Sequence, residues 1–515
     1  MTSAHSILRS LITYAVCIPL AVFLGYLMTN PLDIVTFITL ALILAVLCGP
    51  LLIRFHHPLM LFFWNTTAVL FFLPGRPWVW MGAVTVSFMI SMTQRILNKE
   101  VRAISVPELT RPLMAIVVVA LVTAKLTGGI GLRAFGGDVY GGRKYLTLFA
   151  AILGFFALAA NRIPRERARL SIGLYFLGGA TVVIGDLFPV LGSALPFLFW
   201  LIPPYSLSSS EIEIGLTRLG GLTAVSSCIF SFMLARYGVQ GIFTATRPWR
   251  FLAFIFFSGC GFFGGFRSLV IGYFGIFMLQ FFLEGLHRTK LFPLMLLGLT
   301  LVGAAAVPFA SKLPPTVQRA LAFLPLPIDP VVSQSAQASS EWRLQMWKAV
   351  LPQVPQYLLL GKGLALSHQD WGDMGFGDKA ISEDQWGAAL AGDYHSGPLS
   401  VLIPFGIWGL IAFTWFLAAG LRVLYKNYRY GDPALRTINT FLLASFVVHV
   451  AMFWIIVGGF TSDMLQFVGV LGLSVGLNNG VARQAVQAIE KREPQARELA
   501  TVLPRQRPVF GGRSG

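Results

Sequence analysis

Long runs of apolar residues, separated by short polar intervals, fill most of this chain. The runs show no alternation of period two, and many reach the roughly 20 residues that a helix needs to cross the hydrocarbon layer of a membrane. A helix satisfies every backbone hydrogen bond in that layer. The sequence therefore predicts an all-α polytopic membrane protein with about 12–14 transmembrane helices, at about residues 10–28, 32–53, 57–74, 77–94, 112–126, 145–160, 170–190, 220–235, 250–265, 268–284, 291–309, 399–420, 438–459 and 463–478.

One long polar interval, residues 309–398, interrupts this pattern, and we expect the chemistry there. It carries eight Asp and Glu against six Lys and Arg, in a chain whose net charge is +17. The predicted organisation is N-terminal transmembrane helices (1–308), a large extracytoplasmic catalytic loop with short amphipathic helices (309–398), C-terminal transmembrane helices (399–480) and a basic tail (481–515). We expect the tail to be cytoplasmic and disordered beyond a short helix.

Composition and charge distribution support this interpretation. The 515 residues are 56% hydrophobic and 12% charged, which excludes a soluble globular protein. Basic residues cluster at the ends of apolar runs, so the positive-inside rule explains the net charge better than nucleic-acid binding does. With a cytoplasmic N-terminus, that rule places residues 309–398 outside. The four cysteines lie in apolar runs without paired spacing, which indicates neither a disulfide framework nor a thiolate metal site.

Arg267 interrupts apolar sequence after Gly264 and Gly265, at a predicted membrane boundary. An arginine is costly there unless its charge reaches the interface or a partner. One interpretation is an interfacial anchor whose charge stays in water. The other is a buried anion site, for which the two glycines would leave room beside the guanidinium.

The residues around Arg343 predict an amphipathic helix, with Ser339 or Ser340 as a candidate cap. Leu344, Trp347 and Leu351 recur at helical spacing, and Arg343 and Trp347 are four residues apart. In one interpretation this helix only lies on the membrane surface. In the other, Arg343 points inward as a bidentate phosphate ligand, and Trp347 joins it in binding the substrate.

His395 stands just before the apolar run 399–420, in a segment that begins with Asp393. An imidazole titrates near neutral pH and is suited to general base catalysis, although a single histidine in such a place is often a structural hydrogen-bonding residue. We also include Asp393 as a candidate for substrate binding.

Two further charged residues are candidates. Arg143 follows Gly141 and Gly142 at the end of a glycine-rich interval, which is either a sugar or diphosphate site or a flexible connector. Asp186 lies inside an apolar run, where a carboxylate is a functional candidate, but we favour pairing with a neighbouring span. No cluster of histidines or carboxylates has metal-ligand spacing, so we predict neither a metal nor another cofactor.

The order of these motifs resembles that of the O-antigen ligase and polymerase superfamily. The resemblance covers about residues 250–420, and the remaining spans are similar only as a multi-helix scaffold. The motifs are an Arg beside Gly before a span, Arg343-x3-Trp347 in a large loop, Leu360-Gly-Lys-Gly363, and His395 before an apolar run with Gly406-Ile-Trp-Gly409.

The resemblance implies a metal-independent, inverting glycosyltransferase of the GT-C type. Such enzymes take a glycan from undecaprenyl diphosphate on the periplasmic or extracytoplasmic face of the bacterial cytoplasmic (inner) membrane and pass it to an acceptor hydroxyl. By this resemblance, Arg267 and Arg343 bind the diphosphate, and His395 takes the proton from the acceptor. Ser396 stands where the family usually has Asn.

Elementary chemistry agrees with that implication, because a diphosphate is already a good leaving group and needs little beyond charge neutralisation and one base. The alternative is a transporter or flippase, which Arg267 and Asp186 would also suit. One large loop and the lack of internal repeats favour the transferase. The expected partners are the undecaprenyl diphosphate-linked donor, a glycan or lipid A core acceptor, membrane lipid and chain-length or export proteins, with no nucleic acid.

Overall fold

The computed structural model describes residues 2–27, 34–73, 75–98, 104–130, 142–204, 218–365, 392 and 394–483. Within these ranges the regular structure is helical, and one isolated β-bridge pairs Val69 with Trp78. The predicted all-α class is confirmed. In chain order the α-helices are α1 (Thr2–Leu27), α2 (Ile34–Phe63), α3 (Val79–Leu97), α4 (Pro107–Leu126), α5 (Gly142–Ala160), α6 (Ala168–Leu177), α7 (Val183–Asp186), α8 (Phe188–Leu191), α9 (Pro196–Leu201), α10 (Gly220–Ile242), α11 (Pro248–Cys260), α12 (Arg267–Leu283), α13 (Leu291–Phe309), α14 (Pro315–Ala320), α15 (Pro330–Val350), α16 (Val354–Tyr357), α17 (Gly397–Tyr430), α18 (Arg436–Ile455) and α19 (Phe460–Asn478).

Eight helical stretches of the described chain are long and apolar enough to cross a membrane. They are Pro107–Leu126, Gly142–Ala160, Arg165–Asp186, Gly220–Ile242, Leu291–Lys312, Gly397–Tyr430, Pro433–Ile455 and Phe460–Asn478. Three shorter apolar helices, Tyr14–Tyr26, Pro248–Gly264 and Arg267–Leu283, add to these. The polytopic architecture is thereby confirmed, with fewer long spans among the described residues than the 12–14 expected.

One predicted span is wrong. Residues 57–74 do not form a helix of their own, because α2 continues to Phe63 and irregular chain follows up to Val79. Polar Asn65 and two threonines end the apolar pattern there, and the backbone of Val69 pairs with that of Trp78 instead. The span predicted at 170–190 is part of the helical stretch Arg165–Asp186, and the short helices α8 and α9 follow it, each with a proline in its first turn.

The chain divides into two compact units, Met1–Leu59 and Met60–Gly515. The first is helical. In the second, α5 packs against α3 and α19, and α17 packs against α4 and α18. The Phe413 ring of α17 lies 5.2 Å from the rings of both Phe453 and Phe460, measured between centroids. Helix α17 begins two residues after His395. The aromatic packing of α17 therefore also holds the chain next to that histidine in place.

Helix α17 is interrupted at Gly406, whose φ is 62°. The break removes helical partners from nearby backbone groups, and the loop that follows α16 replaces them. Three hydrogen bonds join the loop to the helix at the break. Ile407 N–H donates to Leu358 O over 2.7 Å, Lys362 N–H to Ile403 O over 2.7 Å, and Gly363 N–H to Pro404 O over 2.8 Å. The two glycine motifs of the sequence, Leu360–Gly363 and Gly406–Gly409, are therefore the two sides of one junction.

Neither Gly361 nor Gly406 has room for a side chain at this junction. A Cβ added at Gly361 would lie 2.3 Å from Pro404 O, and one added at Gly406 would lie 2.8 Å from Leu358 O. Gly361 also has a positive φ of 74°, a conformation that other residues adopt only with strain. The glycines thus let the loop backbone lie directly against the transmembrane helix.

Candidate functional site

Arg267 is the first residue of α12 and follows a tight turn after α11. In that turn Gly265 has a φ of 67°, and a Cβ added at Gly264 would lie 2.1 Å from Thr223 Oγ1. Gly264 is therefore required for close packing against α10. The expectation that it keeps space open for a ligand is wrong, because the Thr223 hydroxyl occupies that space.

Two further arginines lie around the same turn. Arg319, which is buried in α14, donates from Nη1 to Gly265 O over 3.4 Å. The Arg218 guanidinium lies 4.8 Å from the centroid of the Phe266 ring. The positive charge of Arg218 also acts on that of Arg267. The turn before α12 is thus a site of concentrated positive charge, which favours an anion.

Sequence reasoning did not single out Arg218 or Arg319. Each is one basic residue in a polar interval, with no motif around it, so only the folded chain brings them to the same turn. One signal was that Arg319 lies in the polar interval 309–398, where the chemistry was expected.

Helix α15 joins this arginine cluster. Arg267 donates from Nη2 to Ser340 Oγ over 3.0 Å. Ser340 lies three residues before Arg343 on α15, and residues at that spacing are neighbours on one helix face. The structure thus places the half-buried Arg343 within one helical turn of the residue that Arg267 contacts. Arg267 and Arg343 are thus connected through one turn of α15.

The expected helix around Arg343 is confirmed, but its cap is wrong. The helix does not start at Ser339–Ser340; it starts at Pro330, and the Asp329 side chain accepts a hydrogen bond from Val331 N–H over 2.8 Å. Asp at the N-cap followed by Pro at the first helical position is a strong start signal. The polar stretch before Ser339 lacks apolar periodicity, which concealed the first half of the helix.

The same helix contacts the segment around His395. The rings of Trp342 and His395 meet edge to face, with centroids 5.4 Å apart. Trp347 donates from its indole Nε1–H to Tyr394 O over 2.7 Å. Arg343 thus lies on α15 between two tryptophans that hold the histidine segment. The indole N–H of Trp347, a predicted substrate ligand, is already used in this structural contact.

His395 has a φ of 45°, which is unusual for any residue with a side chain. Such a strained conformation persists only where the surrounding structure holds it. A small apolar core does so, formed by residues of α15, of the histidine segment and of the start of α17: Met346, Val350, Tyr394, Leu399 and Ile403. The chain on both sides of His395 is therefore held by packing, through Tyr394 and Leu399.

The remaining predicted residues are Arg143, which lies at the start of α5, and Asp393. The Arg143 guanidinium lies 5.2 Å from the Trp78 ring centroid, a cation–π contact at the start of α5. Its predicted role in substrate binding stays a prediction. Asp393 is outside the described residues, as are all but the first residues of the predicted tail.

Asp186 has a structural partner. Its Oδ2 accepts a hydrogen bond from Leu222 N–H over 2.9 Å, at the first turn of α10. A carboxylate at a helix N-terminus satisfies an amide that has no helical partner and interacts favourably with the helix dipole. The carboxylate therefore pairs with a neighbouring transmembrane helix, the interpretation favoured from the sequence, through the backbone of that helix.

Among the described residues, no three His, Cys, Asp or Glu side chains lie together as metal ligands would. The predicted independence from metal stays a prediction. The groups that the structure does bring together are guanidinium groups and one imidazole. Guanidinium groups bind phosphate oxygens through paired hydrogen bonds, and an imidazole accepts a proton, so the site is suited to a phosphorylated substrate and a proton transfer.

An apolar cleft of about 720 Å³ lies beside α12, bounded by α11 and α13. At one end it is lined by Phe262 and Val270, close in sequence to Arg267. It extends to Ile242 and Leu291, near the opposite ends of these helices. The cleft therefore runs along much of the membrane depth from a point near the arginine cluster.

Comparison with known proteins assigns the part of the chain that contains this site. Residues 252–414 match the family model described as O-antigen ligase. A search of curated proteins found no match. The matched segment contains Arg267, Arg343 and His395, and it agrees with the resemblance predicted for residues 250–420. The chain is therefore a multi-pass membrane protein that contains an O-antigen ligase domain at residues 252–414.

Proposed function

We propose that this enzyme transfers a glycan from undecaprenyl diphosphate to an acceptor hydroxyl, with inversion and without a metal ion. The acceptor oxygen forms a bond to the anomeric carbon of the donor glycan, and the bond from that carbon to the diphosphate oxygen breaks. The diphosphate leaves with the electron pair. The acceptor proton passes to His395.

On the donor side, Arg267 and Arg343 bind the diphosphate. Their guanidinium groups neutralise the charge that builds on the leaving oxygen, and in a site shielded from water this stabilisation is larger than in bulk solvent. Arg218 adds positive charge beside Arg267. Removal of one such donor typically lowers the rate by about 10²–10³-fold.

On the acceptor side, His395 is the general base. Its ring contacts Trp342, on the helix that carries Arg343, so the base and one diphosphate ligand share a rigid support. The edge-to-face contact with Trp342 restricts the orientation of the imidazole.

The observation that carries this proposal is the set of contacts made by α15. Ser340 receives the hydrogen bond from Arg267, Trp342 meets His395, and Arg343 lies between these two positions in sequence. One helix therefore connects the proposed diphosphate ligands with the proposed base. The function of a transporter or of a scaffold protein would not require these residues to converge.

The charge pattern supports an extracytoplasmic site. Helix α12 begins at Arg267 and is followed at its other end by the basic residues His287–Lys290. Helix α17 begins just after His395 and ends within the basic stretch Arg422–Arg436. Basic ends face the cytoplasm in most membrane proteins, so the opposite ends, which carry the site, face the periplasm or cell exterior.

The apolar cleft beside α12 supports a polyprenyl carrier. A lipid chain that enters between α11 and α13 would have its diphosphate next to Arg267, because Phe262 and Val270 line the cleft near that residue. The cleft wall is almost wholly apolar, and this suits an isoprenoid chain better than it suits a sugar.

The decisive experiment measures transfer by purified full-length protein in detergent, with undecaprenyl diphosphate-linked oligosaccharide, in the presence and absence of a chelator. We expect chelator-resistant transfer that Arg267→Ala, Arg343→Ala and His395→Ala each abolish. Lys348→Gln is the matched control, since it removes an exposed positive charge from the same helix α15 and should leave transfer unchanged.

Full activity in all three variants would refute the proposal. Movement of lipid-linked glycan across reconstituted vesicles without transfer would instead establish the transporter. The glycan profile of a deletion strain then separates two acceptors. Long chains that remain on the carrier indicate a ligase that acts on lipid A core, whereas single repeat units indicate a polymerase.

A further inference from the structure

A second cavity, of about 480 Å³, lies between α10, α12, α18 and α19. Its volume is within the range of sites that hold small molecules. Along α12 its lining runs from Ser268 to Ile276, a depth of about 12 Å at the 1.5 Å rise per residue of a helix. The cavity therefore extends from the start of α12 into the membrane-spanning part of the protein.

One end of this cavity lies next to both parts of the proposed catalytic site. The two residues that flank Arg267 in the sequence line it. So does Phe453 of α18, which packs so closely on Gly397 that its carbonyl oxygen leaves no room for a Cβ there. Gly397 is two residues after His395. A molecule in this end of the cavity would therefore be near the proposed diphosphate ligand and near the segment that carries the proposed base.

Several polar side chains line the cavity without a hydrogen-bonding partner. Among the described residues, the side chains of Ser231, Ser445 and Gln466 form no hydrogen bond. By contrast, Ser227, which lies one turn before Ser231 on α10, donates to Thr223 O over 3.0 Å, a bond that serines inside helices commonly make. A polar group without a partner is costly away from water. These side chains therefore indicate a polar occupant.

The lining favours an uncharged occupant over an anion. The described residues around the cavity include no lysine or arginine, so a phosphate or carboxylate there would lack a neutralising cation from those side chains. An acidic residue, Asp463, belongs to the lining. Serine hydroxyls and the Gln466 amide both donate and accept hydrogen bonds, as the hydroxyl and acetamido groups of sugars do. The chemistry of the cavity thus matches a neutral sugar.

We propose that this cavity binds the first sugar of the donor glycan, the one attached directly to the diphosphate, and that this sugar is uncharged. The inference rests on the proposed transfer reaction. Two faces of α12 support it. Phe274 lines the apolar cleft proposed for the polyprenyl chain, Gly272 lines the cavity, and Tyr273 lines both. Because Arg267 begins this helix, a carrier in the cleft would have its diphosphate at Arg267 and its first sugar at the cavity.

The donor sugar fits this position better than a sugar of the acceptor does. It is covalently attached to the group that Arg267 is proposed to bind, so it cannot lie far from the start of α12. Its anomeric carbon is also the atom that the acceptor attacks, and it must therefore be within reach of the proton transfer to His395. The contact of Phe453 with Gly397 places the cavity next to that segment.

The test measures equilibrium binding to the purified full-length protein and therefore does not require transfer. The probes are undecaprenyl diphosphate and the same carrier linked to one glucose, galactose, N-acetylglucosamine or glucuronic acid. We expect at least one uncharged sugar to tighten binding about tenfold over the bare carrier, through hydrogen bonds in the cavity. Glucuronic acid should bind more weakly than glucose, which has the same ring without the carboxylate.

Gly272→Leu tests the position of the sugar. Gly272 lines the cavity, and a Cβ added there meets no atom within 4 Å, so leucine would fill the cavity without a clash at its Cβ. We expect this variant to bind the glycosylated carrier no more tightly than the bare one, and to bind the bare carrier as the wild type does. Gly303→Leu is the matched control, because a Cβ at that exposed position of α13 also meets no atom.

Ser445→Ala with Gln466→Leu tests the chemistry of the lining. It removes two of the hydrogen-bonding side chains and introduces apolar groups, which transmembrane helices tolerate. The preference for the glycosylated carrier should fall by about fivefold or more. All variants must elute as a single species in size-exclusion chromatography.

Equal wild-type affinity for the bare carrier and for every glycosylated carrier would overturn the proposal. A preference that survives Gly272→Leu would also overturn it, because the sugar would then lie elsewhere. Loss of affinity for the bare carrier in that variant would assign the cavity to the lipid or the diphosphate instead. If the Arg267, Arg343 and His395 variants transfer normally while Gly272→Leu loses the preference, the proposed catalytic roles fail and the sugar site stands.

Discussion

Arg267 donates from its Nη2 to Ser340 Oγ over 3.0 Å, across 73 residues of sequence. This hydrogen bond ties the start of α12, a transmembrane segment, to α15, a helix of the large polar interval. Guanidinium orientation matters for bidentate phosphate binding, so we expect a contact that restricts Arg267 to preorganise it for its proposed role in binding the donor.

Ser340→Ala removes that contact and leaves both arginines in place. We expect the KM for the lipid-linked donor to rise by about two- to fivefold, since an exposed hydrogen bond contributes about 0.5–1 kcal/mol, and kcat to change little. Steady-state transfer kinetics measure both constants. Ser339→Ala is the matched control on the same helix, and an equal effect there would show that Ser340 has no specific role.

His395→Asn separates the chemistry of the histidine from its backbone conformation. Asparagine tolerates a positive φ better than most residues, so the variant should unfold at nearly the wild-type temperature. Transfer should fall by about 10²–10⁴-fold, because the general base is lost. His395→Val should lose transfer and also be less stable, by about 1–2 kcal/mol, because a β-branched residue is strained at this φ. Equal stability of the two variants would contradict the structure.

Gly406→Ala should destabilise the protein by more than about 2 kcal/mol, since it strains the left-handed backbone and forces a methyl group toward Leu358 O. The shift is measured as thermal unfolding of purified protein in detergent. Gly298→Ala provides the comparison, because a Cβ at that position of α13 meets no atom within 4 Å. A similar loss of stability in both variants would mean that the junction is not specifically constrained.

Asp186 should matter for stability and not for chemistry. Asp186→Leu removes the acceptor for Leu222 N–H, and we expect it to lower the free energy of unfolding by about 1 kcal/mol, as loss of an N-cap typically does. Asp186→Asn keeps an oxygen acceptor and should restore most of that stability. Transfer per molecule of folded enzyme should be the same for both variants, and a large loss of kcat in either would assign Asp186 to the reaction.

Much of the fold was predictable because its cause is local. A run of apolar residues predicts a transmembrane helix wherever it falls, and the helices Arg267–Leu283, Gly397–Tyr430 and Phe460–Asn478 start within three residues of the expected spans. The merged helix α2 was missed, because an apolar run that continues beyond a helix end has the same composition as a span.

The sequence was sufficient to name the candidate site residues but not the contacts between them. Arg267, Arg343 and His395 could be named from motif order, whereas the contacts of α15 with Arg267 and His395 arise from tertiary packing that no spacing encodes. The same reason hid Arg218 and Arg319. A single basic residue in a polar interval carries no local sign of the cluster that it joins.

The junction between the loop after α16 and the break in α17 has a consequence for engineering. Because Ile407 donates to Leu358 and not to a residue of its own helix, a membrane span and a polar loop fold as one cooperative unit. A chimera that exchanges the loop between relatives, but keeps the resident helix, would leave unpaired amides at the edge of the lipid. Crossover points for exchanging acceptor specificity therefore belong outside residues 358–407, so that both halves of the junction move together.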